Sequence, residues 1–311
     1  MSDIKAQFAS AVFIAHIKPM DIAMRRSTSS SLRHVFNVLT ALLSTLLVAF
    51  SPALFAQTIK VPADIQATHI LRFCSDLSNP PADGIADDGF TPSGAEVDVM
   101  NGIGRELGVK TEISNFQFSG IFGALDTGKC DMVMASLGKT ADRAKRYELI
   151  DYWSVASGLL VPKGNPKHLT RYEDLTGQRV AVLLGSRNSK VLHAMNEKLI
   201  GAGKPPMEIV ELGTNVDAFQ DLTLGRVDAF SSDTLNINFY KSRGRGKFEI
   251  GGVPVPPVTW AIALQKGNEE LRQTVQAAID RMNANGQMLK IAKTWGIADG
   301  VGLCSTAHPC E

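Results

Sequence analysis

Two separated stretches of the chain carry the same spaced pattern, and this repeat constrains the fold more than any other feature. The first reads Phe122-x-x-Leu125-x-x-Gly128-Lys129-x-Asp131 and the second Phe219-x-x-Leu222-x-x-Gly225-Arg226-x-Asp228. An aromatic, an aliphatic, a glycine, a base and an aspartate therefore recur at identical spacing. The i, i+3 step puts the aromatic and the leucine on one helix face, and the glycine falls where a left-handed residue ends a helix. Beyond each aspartate an apolar run ends five residues later on a polar side chain, Ser136 in one copy and Asp233 in the other. Strand and helix patterns follow the same order around both copies, so the chain is expected to fold as two similar α/β lobes.

The periodicities place strands at 70–75, 110–116, 131–135, 179–184, 208–212, 228–232 and 259–265. Helices are expected at 95–107, where Val97, Met100, Ile103 and Leu107 share a face, and at 119–127, 189–200 and 216–224. Two more close the chain at 269–284 (Leu271, Val275, Ile279, Met282) and 286–295. Ser119 is the expected N-cap of the 119–127 helix and Gly128 its C-terminal stop. Strands alternating with helices imply parallel sheets covered on both faces. At 311 residues the chain is long enough for two domains with real cores. Its 32 basic and 31 acidic residues form no basic stripe with interleaved aromatics, which argues against a nucleic-acid partner.

The N-terminal region reads as a targeting segment. Residues 39–55 (LTALLSTLLVAFSPALF) are an apolar run preceded by Arg25, Arg26 and Arg33. This is the layout of a Sec-type signal peptide over 24–56, ending at Ala56, with 1–23 an upstream extension and Met24 the better start. A membrane anchor is the alternative, since the run approaches spanning length, but Pro52 and the small residues at its end favour cleavage. No cysteine follows in a lipid-anchoring position. The mature part holds Cys74, Cys130, Cys304 and Cys310, an even number that permits disulfides in an exported protein. Three connectivities are open. Cys304 and Cys310 lie close enough to close a small loop, whereas Cys74 and Cys130 fit buried free thiols equally well. No spacing matches a metal site, and no cofactor is expected.

In open parallel sheets, ligands bind beyond the carboxyl ends of the strands. Here that rule gathers Asp76, the 136–143 stretch, the 185–188 stretch and Asp233. The set offers a fixed cation in Arg143, a carboxylate in Asp233, hydroxyls and a helix N-terminus, chemistry suited to a zwitterion.

These residues also carry a resemblance. The stretch from Gly120 to Asp131, the run Ser136-Leu-Gly138-Lys139-Thr140-Ala-Asp142-Arg143, the segment from Asp174 to Ser186, and Gly225-Arg-Val-Asp228 followed by Asp233 resemble the bacterial extracellular solute-binding proteins of family 3. The resemblance spans residues 65–297 and implies an α/β, periplasmic binding protein-like clamshell. Its two Rossmann-like lobes, 57–158 with 256–311 and 163–250, would be joined by hinge crossings near 158–163 and 250–257. It further implies a monomer in the periplasm that is not an enzyme. Such a protein captures a free, polar amino acid and delivers it to an ABC importer's membrane permease by hinge closure.

By the same resemblance Arg143 would pair with the ligand's α-carboxylate, and Ser186 would add donors at the following helix start. Ser136 and Gly138 would receive the ammonium and carboxylate, and Asp233 would pair with the ammonium. Phe118 would stack on the ligand and Asp76 would sit near its side chain. Two positions depart from the pattern. Asn79-Pro80-Pro81-Ala82 replaces a stretch that usually carries an aromatic, and Arg187 stands where a small hydroxyl residue is common. The alternative function on this fold is a cyclohexadienyl (prephenate or arogenate) dehydratase-like enzyme, which needs a general acid. Asp76, Asp233 and Glu96 are the candidates, although Glu96 reads simply as a helix-starting acid.

Overall fold

The computed structural model describes residues 58–252 and 255–310. The expectations for 1–23 and 24–56 lie outside the described residues. A short helix α1 (Ala63–Thr68) leads into β1 (Ile70–Ser75), then a small hairpin of β2 (Gly84–Ile85) and β3 (Pro92–Ser93). Next come α2 (Ala95–Leu107), β4 (Lys110–Asn115), α3 (Ile121–Asp126), β5 (Met132–Val133), α4 (Ala141–Arg146) and the long strand β6 (Tyr147–Pro162). The second half contains β7 (Arg179–Leu183), α5 (Arg187–Gly201), β8 (Glu208–Leu212), α6 (Asn215–Thr223), β9 (Ala229–Asp233), α7 (Thr234–Arg243) and β10 (Phe248–Ile250). Strand β11 (Val255–Gln265), helices α8 (Glu269–Ala284) and α9 (Gln287–Thr294), and strand β12 (Val301–Leu303) complete it.

One continuous curled sheet runs β4-β1-β5-β11-β6-β9-β7-β8, with β10 and β12 also paired to β6. Strand β1 is parallel to β4 and β5, and β7 is parallel to β8 and β9. The expectation of wholly parallel sheets needs correction, because β6 and β11 run antiparallel to the strands they join. The reason is topological. Strand β6 enters the second lobe, and β11 returns to the first, from the side on which the parallel strands end, so each must run against its new neighbours. The 16-residue β6 was not expected from the sequence. Neither were β10 or β12, whereas α7 bears out the alternative reading of Asp233 as the N-cap of a helix from Thr234.

Apolar clusters cover both faces of each lobe. Leu71, Met100, Trp153 and Ile279 belong to one and Cys74, Ile121 and Val133 to another in the first lobe. Val180 and Leu192 lie in one cluster of the second lobe, and Ala181, Leu222 and Phe230 in the other. The disulfides are Cys74–Cys130, which ties β1 to the turn before β5, and Cys304–Cys310, which closes the tail. Cys74 and Cys130 are thus buried but bonded. No helix among the described residues is long and apolar enough to cross a membrane.

The sequence repeat reappears as a repeated latch. Gly128 and Gly225 take matching left-handed φ values of 71° and 69°, which end the helix before the buried strand. Asp131 accepts the Arg72 amide at 2.8 Å and its guanidinium at 2.5 Å. Asp228 accepts the Arg179 amide at 2.9 Å and its guanidinium at 3.0 Å. Each arginine also donates to the carbonyl of the repeat glycine, and Phe122 stacks on Tyr147 as Phe219 stacks on Tyr240. Ser119 lies in a 3-10 turn (Phe118–Gly120) and does not cap α3, whose N-cap, Gly120, offers no side chain. The latch arginines are well exposed, so the ion pairs themselves add little and the strand amides matter more. Asp131→Ala and Asp228→Ala should each cost about 1–3 kcal/mol by orphaning those amides, read as similar losses in urea-unfolding midpoint.

Candidate functional site

The carboxyl ends of β1, β5, β7 and β9 face one another around a cavity of about 50 Å³. Asp76, Phe118, Ser136, Gly138, Ser186, Arg187 and Asp233 all line it, together with Asn79, Ser157, Asn188, Asn215, Ser231, Ser232 and Trp260. Seven of the eight residues singled out from sequence therefore meet in one place. Arg143 stands behind the wall rather than on it.

Ser136 follows β5 in a left-handed conformation, φ 49°, which a non-glycine residue keeps only where its surroundings enforce it. Glu96 is what enforces it. Its buried carboxylate accepts the Ser136 amide at 2.9 and 3.1 Å and the hydroxyl at 3.1 Å, and takes the Tyr152 hydroxyl at 2.5 Å. Glu96 does start α2, as its position suggested, but its side chain reaches beneath β5 and aims the Ser136 loop. Asp83, also fully buried, lies beside it. Burial pushes both carboxyls up, and the Glu96 charge and hydrogen bond push Asp83 well above the carboxylate range. Hydrogen bonds from Tyr152 and Ser136 partly offset the rise at Glu96.

Asp233 has two attachments. One oxygen caps α7, accepting the Asn236 amide at 2.9 Å, and the other accepts Asn79 Nδ2 at 3.0 Å. Asn79 also donates to Ser136 Oγ at 2.8 Å and accepts Asn215 Nδ2 at 3.1 Å. A polar chain therefore crosses between the lobes through Asn79, in the stretch where the resemblance expects an aromatic. Asp76 keeps one oxygen buried without a partner. Burial raises the Asp76 carboxyl to about 6, against hydrogen bonds from Ser78, and raises Asp233 to about 6 against its bond from the Asn236 amide.

On the opposite wall Ser186 caps α5, accepting the Ser189 amide at 3.1 Å. Arg187 and Asn188, the first residues of this 15-residue helix, sit at its positive end. The Arg187 stem lies across Gly138, where a built Cβ would come within 3.0 Å of Cδ. A side chain at this position would press on that stem. Arg143 donates to the Gly138 carbonyl at 2.6 Å and to the Gly185 carbonyl at 3.3 Å, with Phe118 and Phe122 rings 5.5 Å from its guanidinium carbon. Burial lowers its pKa to about 10, so it stays charged at neutral pH. Among the described residues no carboxylate pairs with either arginine. No group of side chains among the described residues has the makings of a metal site.

Asn79, Asn215 and Trp260 are site residues the sequence reading did not name. Asn79 stood out only as a missing aromatic. Asn215 is the first residue of α6 and reaches the cavity only because the lobes close on each other.

Two α/β lobes linked by crossing strands, with polar side chains converging between them, define a periplasmic binding protein-like clamshell. The chain belongs to the bacterial extracellular solute-binding proteins, family 3, which it matches over residues 71–298. It is 31% identical over 210 residues to the putative amino-acid ABC transporter-binding protein PatH of Vibrio harveyi, covering 66% of this chain and 81% of that one. Among solved structures, an ancestral arginine-binding protein bound to glutamine is 30% identical with a TM-score of 0.67, over 74% of this chain and 98% of that one. The ancestral amino acid-binding protein AncCDT-1, described as a precursor of cyclohexadienyl dehydratase, is 27% identical with a TM-score of 0.63, over 75% and 97%.

Raised carboxyls have a consequence for stability. Asp76 and Asp233 bind protons more tightly folded, near pH 6, than at their ordinary value of 3.8. The stability this supplies is full below about pH 4 and is lost as pH rises through 6. The ligand-free protein should therefore lose melting temperature between about pH 4 and 6. Asp233→Asn, which keeps the α7 cap, should flatten that decline by about 2 kcal/mol in a pH series of melting curves.

Proposed function

We propose that this protein binds a free, polar amino acid in the periplasm and delivers it to the membrane permease of an ABC importer, acting as a monomer. The observation that carries this reading is a polar cavity closed between two lobes, with anion-binding groups on one wall and buried acceptors on the other. The α5 N-terminus, Ser186, Gly138 and the arginines suit a carboxylate, while Ser136 and Asp233 suit an ammonium. Asp76 and Phe118 border the ligand's side chain. The family membership and the amino-acid-binding relatives support the same assignment.

The lobes are taken as 57–158 with 256–311 and 163–250, with hinges near 158–163 and 250–257. In support, β6 pairs with β11 as far as Ser157 and with β9 from Ser157 onward. A ligand touching both lobes favours the closed state by its differential affinity for it. The contacts made on closure include Asn79 to Asp233, Asn215 to Asn79 and Asn236 to the Pro80 carbonyl. Export through a signal peptide over 24–56 fits the family's extracellular setting.

The enzymatic alternative rests on Asp76 and Asp233, whose carboxyls near 6 would suit a general acid. One screen decides between the two. Thermal shifts are measured with each common amino acid, prephenate and arogenate. A ligand at 100 times its Kd stabilises by about 2.7 kcal/mol, several degrees at this size. One amino acid or a narrow group should shift the melting point, with no turnover of prephenate or arogenate. Shifts with those two alone, followed by their consumption, would overturn the carrier reading.

A further inference from the structure

The second lobe carries a concentrated patch of positive charge at its end remote from the cavity. We propose that this patch, built from Lys163, Lys167, Lys241, Arg243, Arg245 and Lys247, seats the protein on an anionic phospholipid surface. This goes beyond amino-acid binding and involves none of the cavity residues.

Sequence and fold both concentrate the charge. Residues 241–247 read Lys-Ser-Arg-Gly-Arg-Gly-Lys, with every second residue basic. They end α7 and form the turn into β10, where Arg245 and Gly246 take consecutive left-handed φ values of 49° and 79°. The turn is pinned by the Gly244 amide, which donates to the Tyr240 carbonyl at 2.8 Å, and by the Lys247 amide, which donates to the Gly244 carbonyl at 3.0 Å. Strand β10 pairs with the end of β6, and the Lys163 amide donates to the Lys247 carbonyl at 2.8 Å. That pairing sets the turn after β6, with Lys163 and Lys167, alongside the first. All six basic side chains are exposed. Glu249 is the one acid within the two segments, and it accepts Lys163 Nζ at 3.1 Å and the Gly164 amide at 3.0 Å. Among the described residues, Lys167, Lys241, Arg245 and Lys247 have no carboxylate partner.

From position 58 onward the chain holds 27 basic and 29 acidic residues, of which six bases and one acid stand in segments 163–167 and 241–249. Those segments carry a net charge of +5 and the rest of that chain −7. The α7 dipole accounts for bases at Lys241 and Arg243, in its last turn, but not for the other four. The placement matters as well. Strand β6 runs against β9, with Ser157 opposite Asp233 at the cavity and Leu160 opposite Phe230 farther along. Lys163 therefore lies about 20 Å beyond Ser157 on the side away from the cleft. A partner seated there leaves the cleft free to load. No large apolar side chain is exposed in either segment, so the contact is charge against charge, without insertion. Each basic residue at an anionic lipid surface raises partitioning roughly fivefold at low salt, and the acidic remainder, being repelled, turns the patch toward the surface. A nucleic acid fits less well, because the patch exposes no aromatic ring on which a base could stack.

The test is co-sedimentation with vesicles of phosphatidylcholine alone or mixed with phosphatidylglycerol, using the chain from Thr58 to Glu311, which forms one compact unit. It should bind the mixed vesicles and not the neutral ones. Binding should weaken as salt rises from about 0.05 to 0.5 M, because exposed charges are screened. Replacing Lys241, Arg243, Arg245 and Lys247 together by Gln should lower partitioning at low salt at least about tenfold. Replacing four exposed first-lobe lysines by Gln, Lys110, Lys129, Lys290 and Lys293, changes net charge equally and should alter it less than about threefold. Melting curves show that each variant is folded, and Lys163→Gln with Lys167→Gln gives a second, smaller loss should the first quartet not fold. Absence of binding to the mixed vesicles, equal binding to neutral ones, or equal losses in the two quartets overturns the assignment. Tighter binding of a DNA duplex than of the mixed vesicles at the same salt also overturns it, in favour of a nucleic-acid partner. The measurement needs no cleft ligand, so its outcome is independent of the amino-acid-binding reading.

Discussion

Two strands, β6 and β11, pass between the lobes, and the direction in which they run organises everything else. Because each enters its second sheet from the side where the parallel strands end, the carboxyl ends of β1, β5, β7 and β9 are made to face one another. Strand ends leave their last amides and carbonyls unpaired, and the loops that follow carry polar residues to satisfy them. Bringing four such ends together concentrates hydroxyls, carboxylates and amides in one buried volume. The cleft is thus a consequence of chain direction before it is a matter of particular side chains.

That concentration of polar groups has an electrostatic cost, which the structure meets in two ways. Burial and the neighbouring Glu96 push the Asp83 carboxyl up, while Glu96 holds the Ser136 loop in its left-handed form. Asn79 meanwhile shares its two ends among Ser136, Asp233 and Asn215. An aromatic at position 79 would offer a ligand a stacking wall but none of these bonds. The substitution that looked like a missing wall in the sequence is a hub that ties the lobes together.

Much of this was legible beforehand, for physical reasons that can be named. Helices α2 and α8 match their expected limits because their apolar faces recur at helical spacing. The repeated latch was visible as two five-point patterns because its glycine needs a positive φ and its aspartate must reach a strand amide. The residues beyond the strand ends were found by the rule that ligands gather there. Strand β6 escaped notice because its burial pattern, set by the packing of two lobes along one strand, follows no single alternation. Asn215 escaped because its part in the cavity depends on the opposite lobe. Arg143 was expected to meet the ligand's carboxylate, and that its guanidinium donates to carbonyls from both lobes is a contact no local pattern announces.

Local pattern therefore settled which segments are strands and helices, that they form two related lobes, and where along the chain the polar site residues stand. Those properties depend on neighbours within a few residues, where periodicity and φ preference act. Tertiary structure alone decided that β6 and β11 run against the sheets they enter and that Cys74 bonds Cys130. It alone decided, too, that Asn79 bridges to Asp233 and that one arginine lines the cavity while the other backs it. Each of these depends on groups far apart in the chain, whose distance and direction exist only once both lobes have folded against each other.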